Sequence, residues 1–146
     1  MDIQRSPVMV KGQSAPYAKG TRVVGNNGFV WLSGSVGIDV ETGKVPEEAG
    51  LQAKLSMENI KARLEEYGSS LKNIVHIWWY QVGLFPDGMS SDPRHDEIRD
   101  VVEEFWRVNC PEFLRGNNPP ASTFLGVTSL ARAEYLIEIT VVAAIE

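Results

Sequence analysis

Few side chains in this sequence could act as a nucleophile or as a metal ligand. Cys110 is the single cysteine, and it stands between Asn109 and Pro111 without a nearby histidine that could activate it. His76 and His95 are the two histidines, and neither has a cysteine or carboxylate partner at metal-ligand spacing. The pattern predicts an inert, half-buried thiol at a helix end and no metal site.

Two charged residues are candidates for acid–base or anion-binding chemistry. Glu138 alternates with Leu136 and Thr140, so it lies on a mixed face of a strand, either as a functional base or as a solvated carboxylate. Arg99 either binds an anion or pairs with Glu103 one helical turn later. The residue pattern leaves both alternatives open.

Three tryptophans look at first like a surface on which a flat cofactor could stack. They are Trp78, Trp79 and Trp106. Trp78 and Trp79 are consecutive in a strand-like segment, so they point to opposite faces of that strand. This alternation favours a core position for one and a subunit interface or cleft wall for the other. The sequence predicts no cofactor.

Composition limits the class of protein. With 146 residues and 43% hydrophobic content, residues 1–146 are expected to form one domain with a sizeable core. Fourteen basic and nineteen acidic side chains give a net charge of −5, which repels phosphate backbones and argues against nucleic-acid binding. No stretch approaches the roughly 18 apolar residues of a membrane span, and no targeting pattern is present. We expect a soluble, cytoplasmic protein.

After a polar start, the first part of the chain is predicted to form strands and one helix. Residues 22–24 and 29–33 are short apolar runs on either side of residues 25–28, whose Gly-Asn-Asn-Gly sequence favours a tight hairpin. Pro46 is a good helix start, apolar residues then recur every three or four positions, and Gly68 provides the stop. This pattern predicts a helix of about five turns.

The second part alternates strands with a helix. Residues 74–82 are rich in β-branched and aromatic side chains, which predicts a strand buried on much of both faces. Asp92-Pro93 begins a second helix that Pro111 must end. Residues 122–127 and 135–144 are predicted to be the last two strands.

The predicted order of elements is ββ(β)αβαββ. Such an order indicates an α+β fold, an α/β sandwich in which two helices cover one face of a mixed sheet. The chain has no third helix for the other face. Self-association through that bare face is the economical way to cover it, so we expect an oligomer.

Five sequence blocks closely resemble the Rid (RidA/YjgF) family. They are Pro16-Tyr17, Leu32 to Asp39 with Thr42-Gly43, Met57 to Ala62, Gly68 to Leu71, and Leu136 to Ile139. The blocks follow the order and spacing of the family over roughly residues 15–144. The resemblance implies a chorismate-mutase-like fold, a homotrimer with a central barrel, and three equivalent clefts between neighbouring subunits.

The resemblance also implies an activity. Members of the family hydrolyse small imines and enamines to a 2-oxo acid and ammonia without a cofactor, so the expected partner is a small-molecule substrate. The alternative is a non-catalytic member that binds a small ligand or regulates. A third reading, a ribonuclease or chaperone-like protein, is disfavoured by the negative charge.

The resemblance assigns roles to individual residues. Glu138 matches the glutamate that holds the attacking water, and Thr123 matches the position whose backbone handles substrate and water. Tyr17 matches the tyrosine at the cleft mouth, and Ser33 and Gly34 match residues that line the cleft. Structural roles remain open for two of them, because Tyr17 could be a packing aromatic and the Ser33 hydroxyl could be satisfied by backbone.

One position departs from the family pattern. Deaminating relatives carry an arginine before the penultimate strand that binds the substrate carboxylate as a bidentate fork, and Ala121 stands there in this chain. A methyl group cannot neutralise a carboxylate. Arg99, near where relatives carry an asparagine, or Arg115 in the preceding loop could reach the cleft instead. The sequence therefore predicts a divergent member whose action on imino acids is weakened or altered.

Overall fold

The seven strands and two α-helices of the chain appear in a computed structural model that describes residues 1–146. The strands are β1 (Asp2–Val10), β2 (Gln13–Val24), β3 (Phe29–Trp31), β4 (Ser35–Val36), β5 (Ile74–Val82), β6 (Ala121–Val127) and β7 (Ile137–Ala144), and the helices are α1 (Ala49–Glu66) and α2 (Pro93–Asn109). Short 3-10 helices occur at residues 71–73, 89–91 and 111–113. The predicted α+β class is confirmed.

All seven strands belong to one mixed sheet. The strand order is β1-β2-β6-β5-β7-β3, and β4 pairs with β7 beside this path. Strands β5 and β6 are parallel, whereas β5 and β7 are antiparallel. Strand β7 pairs with β3, β4 and β5 and so joins the middle of the sheet to one of its edges.

Both helices pack on the same face of the sheet. A core of 21 buried residues joins α1 and α2 to alternate residues of β5 and β7, such as Ile77, Trp79 and Ile139. The side chains between them point to the opposite face, which no helix covers and which we call the open face. The open face carries His76, Trp78 and Tyr80 of β5, Ala121 and Thr123 of β6, and Glu138 and Thr140 of β7.

Helix α1 begins three residues later than the proline pattern predicts. Pro46 lies before the helix, and its carbonyl accepts a hydrogen bond from Nε2 of the buried Gln52 at 2.8 Å. Glu48 is the N-cap and its backbone is extended, so the first helical residue is Ala49. The predicted stop is confirmed, because Gly68 has a φ of 73°. Neither helix is both long and apolar enough to cross a membrane.

Helix α2 has the predicted bounds. Asp92 accepts a hydrogen bond from the Arg94 backbone N–H at 2.8 Å, and Pro93 is the first helical residue. The hydrogen bonds and charge of Arg94 lower the pKa of the Asp92 carboxyl. Cys110 caps the end of the helix, immediately before Pro111.

The hairpin predicted around residues 25–28 is wrong. Strand β2 pairs with β1 and β6, whereas β3 pairs with β7 on the far side of the sheet. The N-terminal hairpin is instead β1–β2, which turns at Lys11 (φ 49°) and Gly12 (φ 76°). Turn residues specify where a chain can reverse, but the partner of each strand depends on burial in the whole sheet.

Candidate functional site

Glu138 lies on the open face of β7, on the side where β4 is attached. It is opposite Val36 of β4 and Tyr80 of β5. Its side chain passes directly over Gly34, since a Cβ atom added to Gly34 would be 2.0 Å from the Glu138 Oε1 atom. Glu138 is half-buried and forms no ion pair. Its carboxylate oxygens can therefore accept hydrogen bonds from a water molecule.

Ser33 precedes Gly34 in the link between β3 and β4, and its side chain is exposed. The link leads into Ser35, the first residue of β4, which is anchored to α1 by two hydrogen bonds. Ser35 Oγ donates to the Ser56 carbonyl at 3.2 Å, and Ser56 Oγ donates to the Ser35 carbonyl at 2.7 Å. Ser33, Gly34 and Glu138 thus lie together on a fixed backbone, and we call them the glutamate group.

Thr123 lies on the open face of β6, opposite Trp78. Thr123 Oγ1 is 3.0 Å from His76 Nε2, and the rings of His76 and Trp78 have centroids 4.0 Å apart. Burial lowers the pKa of His76, which favours its neutral form at pH 7. Strand β2 pairs with β6 only at Ala121, so the outer edge of β6 has no strand partner from Thr123 onward.

One chain does not bring Glu138 and Thr123 together. Both side chains are on the open face, but β5 runs between β6 and β7. Neighbouring strands are about 4.8 Å apart, so the two backbones are separated by roughly 10 Å. Trp78 and Tyr80 of β5 stand between them on the same face. A single water molecule therefore cannot contact both residues within one chain.

A cavity of about 860 Å³ lies on the helix-covered side of the sheet, between α2, β5, β6 and the start of β2. We call it the helix-side cavity. Much of its wall is aromatic: Trp79 and Phe124 are parallel with ring centroids 5.9 Å apart, and Trp106 meets Phe113 edge to face at 5.1 Å. Trp79 belongs to the core and Trp78 to the open face, which confirms that they point to opposite sides of β5.

Tyr17 and Arg99 both line the helix-side cavity. Tyr17 is 42% exposed, so it is partly accessible from outside. Arg99 is held by Asp96 at 2.8 Å and by Asp100 at 2.9 Å. Of the two alternatives for Arg99, the ion pair with Glu103 is wrong in its partner, because Asp96 and Asp100 bind the guanidinium and Glu103 pairs with Arg107.

Ala121 is buried at the start of β6, between Ala18 of β2 and His76 of β5. Its backbone N–H donates to Thr21 Oγ1 at 3.4 Å. Because the residue is alanine, its side chain carries no charge. It lies on the open face rather than in the helix-side cavity. Nothing at Ala121 can bind an anion through a side chain.

His95 is a polar residue of the helix-side cavity that the sequence reasoning did not include as a site residue. Its Nδ1 atom is 3.0 Å from Oε1 of the buried Gln81, and its ring meets Phe124 edge to face at 4.9 Å. The spacing of four residues between His95 and Arg99 places both on one face of α2. That spacing is the sequence feature from which His95 could have been found.

Cys110 is buried where α2 ends. Burial, together with the nearby carboxylate of Glu112, raises the pKa of its thiol to about 12. The thiol is therefore protonated at neutral pH, which supports the prediction that it is inert.

The sequence matches a family model described as endoribonuclease L-PSP over residues 12–145. It is 31% identical over 139 residues to a RutC family protein of Aquifex aeolicus, covering 94% of each chain. It is 41% identical over 129 residues to a RutC family protein of Pyrococcus abyssi, covering 88% of this chain and 85% of that one. A shorter match, 38% over 65 residues, covers 43% of this chain and 51% of a Salmonella typhimurium protein named 2-iminobutanoate/2-iminopropanoate deaminase.

Solved structures show the same fold. A Rid family protein of Yersinia pestis, YyfB, superposes with a TM-score of 0.77 at 21% identity, covering 99% of this chain and 100% of that one. Escherichia coli TdcF with bound serine superposes with a TM-score of 0.67 at 23% identity, covering 97% of this chain and 94% of that one.

Proposed function

This chain belongs to the endoribonuclease L-PSP, or Rid, family, and on that premise we propose that it is a cofactor-independent hydrolase of small imines and enamines. In this proposal residues 1–146 form a single domain that acts in the cytoplasm as a homotrimer. The relative named as an iminobutanoate and iminopropanoate deaminase supports the reaction class. The observation that carries the proposal is Glu138, a half-buried carboxylate without an ion-pair partner that is held over Gly34.

Hydrolysis of an imine requires a base and a positioned water molecule. Glu138 takes a proton from water while the water oxygen bonds to the imine carbon and the π electrons of the C=N bond move to nitrogen. The nitrogen then receives protons and leaves as ammonia, and the carbon keeps the oxygen as a carbonyl group. No electrons are transferred to or from an outside partner, so the reaction needs no redox cofactor.

We place the complete site between two chains. The glutamate group is on one side of β5, whereas the free edge of β6 with Thr123 is on the other side. Because one chain keeps these parts apart, a neighbouring chain has to bring its β6 edge, with Tyr17, to the glutamate group. The hydroxyls of Ser33 and Tyr17 would then bind the substrate, and the backbone of Thr123 would orient the water.

Substitution of Glu138 tests the proposed base. The Glu138→Gln variant keeps the shape of the side chain but cannot take a proton, so hydrolysis should fall by about 10²–10⁴-fold while the melting temperature is unchanged. The assay measures ammonia or 2-oxo acid from imines generated in place by an amino-acid oxidase. Glu66→Gln, at the exposed end of α1, is the matched control and should keep full activity. Equal rates in Glu138→Gln and wild type would refute the role of Glu138.

The alternative function is binding or regulation by a small ligand without turnover. Ala121 favours it, because this chain lacks the arginine that anchors the carboxylate in the deaminating relatives it resembles. Ligands that raise the melting temperature, together with no ammonia release from any imine in a broad panel, would support this alternative over hydrolysis.

A further inference from the structure

The helix-side cavity is large for a three- or four-carbon imino acid. Its volume of about 860 Å³ falls in the range of roughly 300–1,000 Å³ that is usual for pockets that enclose drug-sized ligands. Two sets of aromatic rings contribute to its wall, Trp79 with Phe124 from the sheet and Trp106 with Phe113 from the helical layer. Aromatic walls of this kind gain most from a planar ring, through stacked and edge-to-face contacts.

The charged side chains that line the cavity differ in whether they form ion pairs. The carboxylate of Asp96 is already paired with Arg99, and that of Glu103 is paired with Arg107. Arg99 in turn is held by a second carboxylate, so its guanidinium is not free for an anion. Arg115 also lines the cavity, and it is the one cation of the lining that forms no ion pair.

We propose that the helix-side cavity binds the aromatic ring of an anionic substrate and that Arg115 binds the carboxylate of that substrate. This inference rests on the proposed function, because it names the substrate class of the same hydrolase. The cavity and Glu138 lie on opposite faces of one chain, but Tyr17 lines the cavity and is the residue that the proposed assembly brings to the glutamate group of a neighbouring chain. The preferred substrates are aromatic imino or enamino acids. Arg115, six positions before Ala121 in the chain, would bind the carboxylate from the helix-side cavity, whereas Ala121 lies on the open face.

Binding of phenylpyruvate, the product expected from an aromatic imino acid, tests the substrate class by isothermal titration calorimetry. Wild-type protein should bind phenylpyruvate at least tenfold more tightly than pyruvate. Phe124→Leu keeps an apolar wall but removes a ring, so it should weaken phenylpyruvate binding by about two- to tenfold. Equal affinities for phenylpyruvate and pyruvate would overturn the inference.

Substitution of Arg115 tests the proposed anchor. Arg115→Met should weaken phenylpyruvate binding by about one to two powers of ten, because it removes a charge-assisted contact. It should leave binding of phenylacetone, which lacks the carboxylate, unchanged. Arg132→Met is the matched control, since Arg132 is exposed and lies outside the cavity. Loss of affinity in both arginine variants, or in neither, would overturn the assignment to Arg115.

The inference and the proposed function fail in different ways. If aliphatic imines are hydrolysed with dependence on Glu138 while phenylpyruvate binds no better than pyruvate, the proposed function stands and the aromatic preference is wrong. If phenylpyruvate binds tightly with dependence on Arg115 while no imine is hydrolysed, the cavity assignment stands and the hydrolase is wrong.

Discussion

Gly34 is important because it has no side chain that would clash with Glu138. Any Cβ atom at this position would lie 2.0 Å from Oε1 and 2.6 Å from Cδ of Glu138, far inside van der Waals contact. The carboxylate can pass over the backbone of Gly34 only because glycine leaves that space open. The position of the proposed base on β7 therefore depends on a glycine in the link between β3 and β4.

The Gly34→Ala variant should lose activity although no chemical group is removed. The added methyl forces the Glu138 carboxylate to move by about 1 Å, and a displacement of that size at a reacting group can cost about 10²-fold in rate. The measurement is kcat for imine hydrolysis beside the melting temperature, with Gly20→Ala as the control because its Cβ meets nothing within 4 Å. A Gly34→Ala enzyme with wild-type kcat would show that Glu138 is not held by this contact.

At this scale the sequence predicts which face a residue occupies better than which residues meet. Alternation along β7 is enough to separate Glu138 from the buried Ile137 and Ile139. The contact between Glu138 and Gly34 depends on how the β3–β4 link is tied to α1, and no local pattern contains that information. The partners of Arg99 cannot be read from spacing for a similar reason, because Asp96, Asp100 and Glu103 are all close to it in the chain and side-chain geometry selects Asp96 and Asp100.

At the scale of elements, the two helices begin in different ways. Asp92 caps α2 with its own side chain. Glu48 makes no such bond for α1, where the Gly50 N–H instead donates to Oε1 of Glu97, a residue of α2, at 3.0 Å. The start of α2 is therefore specified locally, and the start of α1 depends on helix packing. This difference explains why the sequence predicts the first bound of α2 better than that of α1.

The cap on α2 should make stability depend on acid pH. Because the pKa of Asp92 is lowered in the folded protein, its contribution is present above the unfolded pKa of about 3.9 and is lost as pH falls through the folded pKa. Asp92→Asn keeps the cap but has no charge to lose, so its free energy of unfolding should fall less than that of wild type between pH 6 and about pH 3. Urea unfolding at each pH measures the free energy of unfolding of the variant and of wild type.

Two further variants separate the cap from general acid effects. Asp92→Ala removes the cap and should cost about 1 kcal/mol at neutral pH. Asp87→Asn removes an exposed carboxylate that forms no ion pair, and its acid dependence should match that of wild type. If Asp92→Asn also matches wild type at every pH, the carboxylate of Asp92 does not contribute to stability.

At the scale of the whole molecule, the open face remains without a cover. Trp31 is 74% exposed and Phe29 is 46% exposed on β3, and Leu125 is 43% exposed on β6. Both helices pack against the other face of the sheet. Exposed apolar surface of this kind often marks an association site, and the proposed homotrimer would cover it.

The oligomer prediction is tested by light scattering. Wild-type protein should have three times the chain mass of 16.2 kDa. Trp31→Glu puts a charge into the proposed interface and should shift the protein toward monomer, because an unpaired buried charge is costly. Leu84→Glu is the control, since Leu84 is 82% exposed but follows β5 in a loop. A monomeric wild type at micromolar concentration would contradict the prediction, and with it the placement of the site between chains.

The pairing of β7 has a consequence for synthesis on the ribosome. Strands β3 and β4 are made early, yet their partner in the sheet is β7, the last of these seven strands to be made: Phe29 pairs with Ala144 and Val36 with Glu138. Until β7 is available, β3 and β4 have no strand partner, and Trp31 has no place in a sheet. Such long-range pairing slows folding and prolongs the time in which a nascent chain can aggregate. Chaperone dependence of this protein should therefore be greatest just before residues 137–144 leave the exit tunnel.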